Sequence, residues 1–201
     1  RAVAGWAETY LGIPARDGFT ELRNLFEQGV RGDTFNHWLS AHGLVNDDLI
    51  SQLVQVYREH TPRIMPFPEV PALLQRLHRR YRLGLVSDGH LTVQQRKLAA
   101  LGLSRYFDAI VFSEEWGREA WKPSHYPFQT ILERLDAEAS WTVYIADNPT
   151  KDFLGAHRAG LRTIWMRRLG GVYSHLNPPS PQHAPDVEIT SLTKLESVLK
   201  K

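Results

Sequence analysis

The chain of 201 residues contains no cysteine, which excludes disulfide bonds, cysteine metal ligands and a cysteine nucleophile. It has no apolar run near the ~18 residues of a membrane-spanning helix, and its first residues lack the charged-then-apolar pattern of a signal peptide. Neither sign of charge dominates, because 24 Lys and Arg stand against 22 Asp and Glu and the basic residues are scattered. These absences predict a cytoplasmic protein that binds neither a membrane nor nucleic acid.

The residues that are present are those of a globular protein, with 42% hydrophobic and 23% charged side chains. The length suits one domain with a modest accessory unit. The first residue is Arg1 rather than Met, and the apolar spacing of residues 3–11 is that of a helix interior with no capping residue before it. We therefore expect the chain to begin inside an element of a longer protein.

The periodicity of apolar residues changes along the chain. Residues 1–64 carry only helical spacing and predict about four short helices. The proline-rich segment Met65–Pro68 is a plausible linker, and residues 65–201 alternate helical patterns with short, continuously apolar runs. Such runs are typical of strands buried on both faces of a parallel sheet, so the second part predicts an α/β fold with helices on both faces. The predicted strands are 83–86, 109–112, 142–146, 163–166 and 187–189.

Polar residues that suit a phosphate group follow the first two predicted strands, and parallel sheets bind ligands at this carboxyl edge. Ser87, Asp88 and Gly89 offer a hydroxyl and backbone N–H groups ahead of a helix, although an ordinary strand-to-helix turn has the same residues. Lys122, directly before Pro123, offers a compact positive charge, although a surface lysine is the alternative.

An acidic pair follows the third predicted strand. Asp147 ends this strand, and we expect Pro149 in the first turn of the next helix, which brings Asp147 and Asp152 to one crevice. Mg²⁺ takes one or two carboxylates together with waters and phosphate oxygens, so the pair suits this ion. A helix cap and a first-turn acid are the alternative. Because the three segments follow successive strands, we favour one shared phosphate site over three coincidences.

These segments resemble motifs II, III and IV of the haloacid dehalogenase superfamily. The resemblance is carried, in this order, by residues 85–89, by residues 112–115 leading to Lys122-Pro123, and by residues 145–152. The helical first part resembles the cap that the superfamily inserts ahead of motif II. The resemblance implies a HAD-like Rossmannoid fold, with residues 1–64 as a helical cap domain and residues 65–201 as the core domain.

The resemblance also implies an activity, the Mg²⁺-dependent hydrolysis of a small phosphorylated metabolite. Ser87 would hydrogen-bond a phosphoryl oxygen within the phosphate-binding turn that continues through Asp88 and Gly89. Lys122 would balance the charge of the phosphoryl group, and Asp147 would ligate Mg²⁺, with Asp152 supporting the metal or Lys122. The substrate and the oligomeric state do not follow from it.

The superfamily's motif I, an Asp-x-Asp segment after the first central strand, is absent from these 201 residues. Its first Asp is the nucleophile and its second is the general acid and base. We therefore expect that the first central strand is missing and that the chain alone is inactive, with low stability or self-association. The alternatives are a pseudo-hydrolase that binds phosphate or sugar phosphate without catalysis, a 2-haloacid dehalogenase, and an unrelated α/β receiver or binding domain. The acidic pair disfavours dehalogenation, which requires no metal.

Overall fold

The computed structural model describes residues 1–199, and the chain divides into two compact units, Arg1–Pro62 and Arg63–Lys201. Across the described residues, no helix combines the length and the apolarity that crossing a bilayer requires.

The first unit is entirely helical. It consists of α1 (Ala2–Leu11), α2 (Ala15–Glu27), α3 (Thr34–Ala41) and α4 (Asp47–Glu59). Its core contains Trp38, Leu39 and Leu53, each at most 1% exposed. The buried indole of Trp38 keeps a polar partner, because its Nε1 donates to Glu21 Oε2 at 2.7 Å.

The second unit alternates helices and strands, as the apolar runs predict. Its strands are β1 (Gly84–Ser87), β2 (Ala109–Phe112), β3 (Val143–Ala146), β4 (Arg162–Met166) and β5 (Val187–Ile189). Its helices are α5 (Val70–His78), α6 (Leu91–Leu101), α7 (Tyr126–Leu135), α8 (Asp152–Arg158) and α9 (Leu195–Val198). The α/β fold is confirmed, and each strand lies within one residue of its predicted bounds.

All strand pairs in this unit are parallel, so their carboxyl ends share one edge. Strand β1 pairs with β2, and β4 lies between β3 and β5. Within residues 1–199 the sheet therefore has two parts, one of two strands and one of three. The cores beside them include Val111 on β2 and Ile164 on β4, both 0% exposed. Residues that follow β1 and β3 are brought to the same side of the unit.

Candidate active site

The turn after β1 buries a carboxylate, that of Asp88. Its side chain is 4% exposed, and its Oδ1 accepts a hydrogen bond from Ser113 Oγ at 2.7 Å and a longer one from the Lys122 backbone N–H at 3.4 Å. Its Oδ2 lies 3.1 Å from Lys151 Nζ and 3.9 Å from Lys122 Nζ. The carboxylate is therefore satisfied within the protein, and a phosphate contact from this residue would come from its backbone.

Lys122 is the buried cation of the site. Its side chain is 8% exposed, and its Nζ lies 2.8 Å from Asp152 Oδ1 and donates to the Tyr144 hydroxyl at 2.9 Å. Burial opposes the charge of this ammonium, but Tyr144, Asp152 and Asp88 outweigh burial and raise the pKa of Lys122. Lys122 is therefore a fixed positive charge at neutral pH.

Tyr144 on β3 supports this ammonium from the other side. Its ring lies 5.6 Å from Lys122 Nζ. Burial, assisted by the nearby Asp152 and Asp88, raises the pKa of Tyr144 to about 12, although Lys122 acts in the opposite direction. The hydroxyl therefore stays neutral and accepts a hydrogen bond from Lys122 at physiological pH.

Asp147 and Asp152 occupy different environments. Asp147 follows β3 and remains exposed to solvent, yet partial burial of its carboxyl, and then the neighbouring Asp152, raise the pKa of Asp147. Asp152, at the start of α8, is 3% exposed, and its Oδ2 accepts a hydrogen bond from the Asn148 N–H at 3.0 Å. Its Oδ1 makes the ion pair with Lys122, but among residues 1–199 it has no aligned hydrogen-bond donor.

The segment between the two aspartates is a turn rather than the start of a helix. Asn148 Oδ1 accepts hydrogen bonds from the N–H of Thr150 at 3.0 Å and from its hydroxyl at 2.7 Å. This side-chain closure and the bond from Asn148 N–H to Asp152 hold the turn, and α8 begins only at Asp152. The expectation that Pro149 opens the helix is therefore wrong, since Pro149 lies in the preceding turn.

Ser87 and Gly89 flank the buried Asp88. The Ser87 hydroxyl donates to Gln94 Oε1 at 3.2 Å, a long, partly buried contact that a ligand oxygen could replace. Gly89 has φ +114°, and a Cβ there would lie 2.6 Å from Gln94 Nε2, so this turn requires glycine. The structure thus joins Asp88, Lys122 and Asp152 in one cluster, with Ser87 and Gly89 beside it in the chain and Asp147 at its edge.

A family profile described as haloacid dehalogenase-like hydrolase matches residues 7–166. The chain belongs to this family. The resemblance carried by the three strand-end segments is therefore confirmed. The glyceraldehyde 3-phosphate phosphatase of Methanopyrus kandleri is 35% identical over 139 residues, which are 69% of this chain and 58% of that protein. The phosphoserine phosphatase of Thermus thermophilus is 29% identical over 145 residues, which are 72% of this chain and 55% of that protein.

Solved structures of haloacid dehalogenase-like hydrolases share the fold. The HAD-hydrolase YfnB of Bacillus subtilis, whose crystal structure contains magnesium, superposes with a TM-score of 0.72 and 25% identity. The superposition covers 100% of this chain and 90% of the YfnB chain. By contrast, the chain spans less than two thirds of the length of the two phosphatases above.

The oxygen ligands at this site suit a hard divalent cation, but they are too few to hold it alone. Asp147 and Asp152 are oxygen ligands of the type that Mg²⁺ takes, and Asp152 Oδ1 is a buried oxygen without an aligned donor. Within the described part of the chain, however, no group of three or more acidic, histidine or cysteine side chains is arranged around a common metal position. Two carboxylates would leave the remaining positions to water and to phosphate oxygens, as is usual for Mg²⁺.

Three participants were not predicted from the sequence, namely Ser113, Tyr144 and Lys151. Ser113 directly follows β2, so the rule that singled out the other strand ends would have found it. Lys151 lies inside the acidic segment, and only its 3.1 Å contact with Asp88, 63 residues away, reveals its role. Tyr144 belongs to an apolar run, and its sequence context indicates only a core residue.

Proposed function

We propose that the complete protein is a Mg²⁺-dependent phosphomonoesterase that acts on a small phosphorylated metabolite. The observation that carries this proposal is the buried cluster in which Lys122 is held by Asp88 and Asp152 beside the exposed Asp147. The phosphatases among the relatives support a phosphorylated substrate.

The balance of charge at the site supports the need for a cation. Two ammonium groups, Lys122 and Lys151, face three carboxylates, which leaves one excess negative charge when all are ionised. A phosphate monoester carries negative charge and would be repelled by such a site. A divalent cation at Asp147 and Asp152 would reverse the balance, and when bound it would offset the charge that develops on the phosphoryl oxygens.

The residues of this chain would then bind and orient the phosphate. The Ser87 hydroxyl would exchange its weak bond to Gln94 for a phosphoryl oxygen, and the N–H groups of the turn before α6 would donate beside it. Lys122, preorganised by Tyr144 and Asp152, would hold a positive charge where the phosphoryl group gains negative charge.

We further propose that the 201-residue chain alone binds phosphate but does not hydrolyse its esters. The carboxylates of Asp88 and Asp152 are already committed to lysines, and Asp147 is assigned to the metal. No Asp-x-Asp segment occurs elsewhere in the sequence to supply a nucleophile and a general acid.

Titration calorimetry with inorganic phosphate, with and without Mg²⁺, tests the binding site. We expect Mg²⁺-dependent binding that Asp147→Asn weakens by at least about tenfold, since one metal ligand loses its charge. The matched control is Asp136→Asn, because the Asp136 side chain is 98% exposed. Phosphate binding that is indifferent both to Mg²⁺ and to Asp147→Asn would refute the assignment.

Release of phosphate from p-nitrophenyl phosphate tests the catalytic half of the proposal. We expect none from the 201-residue chain and Mg²⁺-dependent release from the complete protein. Turnover by the 201-residue chain that Asp147→Asn abolishes would contradict the proposed inactivity. Phosphate binding without turnover even in the complete protein would instead identify a pseudo-hydrolase.

A further inference from the structure

The main chain of Asp147 is held by an indole at the point where it leaves the sheet. Strand β3 ends at Ala146, so the regular pairing with β4 stops just before Asp147. The Trp165 Nε1–H donates to the Asp147 carbonyl at 2.9 Å. The Asp147 carboxylate accepts a hydrogen bond from the N–H of its own residue. The hydrogen bond from Trp165 therefore ties the main chain of this proposed metal ligand to β4.

Trp165 makes this hydrogen bond from a fixed position. It lies on β4 and pairs in register with Ala146, the residue directly before Asp147. Trp165 is 2% exposed, and the close packing of a protein interior leaves such a ring little freedom to turn. An indole has a single donor, and here that donor is directed to the carboxyl edge of the sheet. Burial of the ring therefore fixes the direction of the hydrogen bond as well.

Arg167 covers the ring of Trp165. Alternate residues of an extended chain share one face, and the Arg167 guanidinium carbon lies 4.7 Å from the centroid of the Trp165 ring. Arg167 Nε donates to the Ser174 carbonyl at 2.8 Å, and its Nη1 lies 3.6 Å from Glu188 Oε1. The guanidinium is thus held by a carbonyl and a carboxylate while it stacks on the indole. These contacts form a chain from Arg167 through Trp165 to Asp147.

The state of the Asp147 side chain gives this chain of contacts a use. Asp147 is exposed, so its carboxylate has freedom that it would lose on binding a cation. A main chain held in place limits the positions that the carboxylate can take and reduces this loss. The alternative is that Trp165 is an ordinary core residue, because any buried carbonyl would satisfy its N–H. The two readings differ in what removal of the N–H does to metal binding.

We propose that Trp165 is a positioning residue for the metal site, which holds the main chain of Asp147 for the binding of Mg²⁺, and that Arg167 holds the indole in turn. The inference rests on the proposed function and adds to it two residues that act only through Asp147. Outer partners that orient metal ligands typically contribute about 10–100-fold to metal affinity. Because Trp165 acts on the main chain of the ligand, we expect an effect near the lower end of this range.

Replacement of the indole tests the role of Trp165 in the 201-residue protein. Trp165→Phe removes the N–H but also leaves a cavity. A second variant therefore carries benzothiophene in place of the indole at position 165, which keeps both rings and has sulfur where the indole has N–H. The matched control is Trp141→Phe, because Trp141 is 90% exposed and precedes β3, at the other end of the strand from Asp147.

Titration calorimetry with Mg²⁺ in the presence of inorganic phosphate gives the metal affinity of each protein. We expect Mg²⁺ to bind about tenfold more weakly to both Trp165 variants than to the wild type. Arg167→Met should weaken binding by a smaller factor, about threefold, because the indole keeps its hydrogen bond but loses its cover. Trp141→Phe should bind Mg²⁺ as the wild type does.

The indole N–H resonances give a readout that an ordinary core tryptophan would not provide. The sequence has six tryptophans, and the ¹⁵N–¹H signal that is missing from Trp165→Phe identifies that of Trp165. We expect Mg²⁺ to shift the Trp165 signal of the wild type and to leave the Trp141 signal in place. In Asp147→Asn the same concentration of Mg²⁺ should shift the Trp165 signal less, because the ligand charge is lost.

The outcomes separate this inference from the proposed function. If the wild type binds phosphate in a Mg²⁺-dependent way but the benzothiophene protein binds Mg²⁺ equally tightly, Trp165 is an ordinary core residue and the inference is wrong. A loss of affinity in Trp165→Phe alone belongs to the cavity and overturns the inference as well. If Trp165→Phe does not fold, the benzothiophene protein decides. Phosphate binding by the wild type that is indifferent to Mg²⁺ instead refutes the metal site itself, and the inference with it.

Discussion

Removal of the buried ammonium of Lys122 should be among the most destabilising single changes in the second unit. In Lys122→Met the side chain keeps its approximate length, while the Asp152 carboxylate, 4% exposed, loses the cation at 2.8 Å. Asp88 retains Lys151 at 3.1 Å, so Asp152 carries most of the penalty. Removal of one partner from a buried ion pair costs about 3–5 kcal/mol, and we expect a loss of unfolding free energy in this range.

A double-mutant cycle isolates this interaction. Asp152→Asn removes the other charge, and the double variant buries neither. We expect the double variant to be more stable than the sum of the two single losses implies, with a coupling of about 0.5–3 kcal/mol. The assay is urea unfolding followed by tryptophan fluorescence and circular dichroism, with the slope of the transition compared among variants.

The control for this prediction is an exposed ion pair in the same unit. Arg76→Met removes a cation that lies 2.9 Å from Glu196 and is 54% exposed, so its loss should cost less than about 1 kcal/mol. If Lys122→Met costs no more than Arg76→Met, or if the two single losses simply add, the buried charges do not depend on one another as described here.

Three other changes should have opposite or pH-dependent effects. Gly155→Ala should lower the unfolding free energy by about 1–3 kcal/mol, because its Cβ would lie 2.7 Å from the backbone oxygen of Pro123. Gly5 lies inside α1 with open space where a Cβ would be, so Gly5→Ala should raise the unfolding free energy by about 0.5–1 kcal/mol. Thermal unfolding in which Gly5→Ala is not more stable than Gly155→Ala would contradict the packing described. Burial raises the pKa of Asp186, but hydrogen bonds from Thr163 outweigh burial and lower this pKa in the folded protein. The Asp186 carboxylate therefore stabilises the fold at pH values above its unfolded pKa of about 3.9. This stabilisation is lost as the pH falls through the lower pKa of the folded protein. Asp186→Asn should therefore melt below the wild type at pH 7 and approach it as the pH falls below about 4; a constant difference at all pH values would speak against this.

Much of the fold could be predicted because its signals are local. The run Ala109–Phe112 has the bounds that its apolar residues predict, since a strand buried on both faces is apolar throughout. Val187–Ile189 also has its predicted bounds, although its middle residue, Glu188, is exposed. The last helix, α9, is short, because residues 192–194 form a 3₁₀ turn before it.

The candidate site could be predicted only in outline. The rule that ligands bind at strand ends selects Ser87, Lys122 and Asp147, but it gives no partners for them. The contact of Lys122 with Tyr144 spans 22 residues, and that of Lys151 with Asp88 spans 63. No local pattern encodes such pairs. The roles of the site residues in binding phosphate and metal remain predictions.

The sequence by itself determined the alternation of helices and strands, the parallel direction of the strands and the order of the polar residues at their ends. These depend on periodicity and on short turns, which are properties of neighbouring residues. Only the tertiary structure decided that the carboxylates of Asp88 and Asp152 neutralise the buried Lys122 and the partly exposed Lys151, and that the sheet has an apolar cleft between β1 and β3. Both depend on the packing of distant segments, since burial makes a charge require a partner and leaves an unpaired strand edge to be filled.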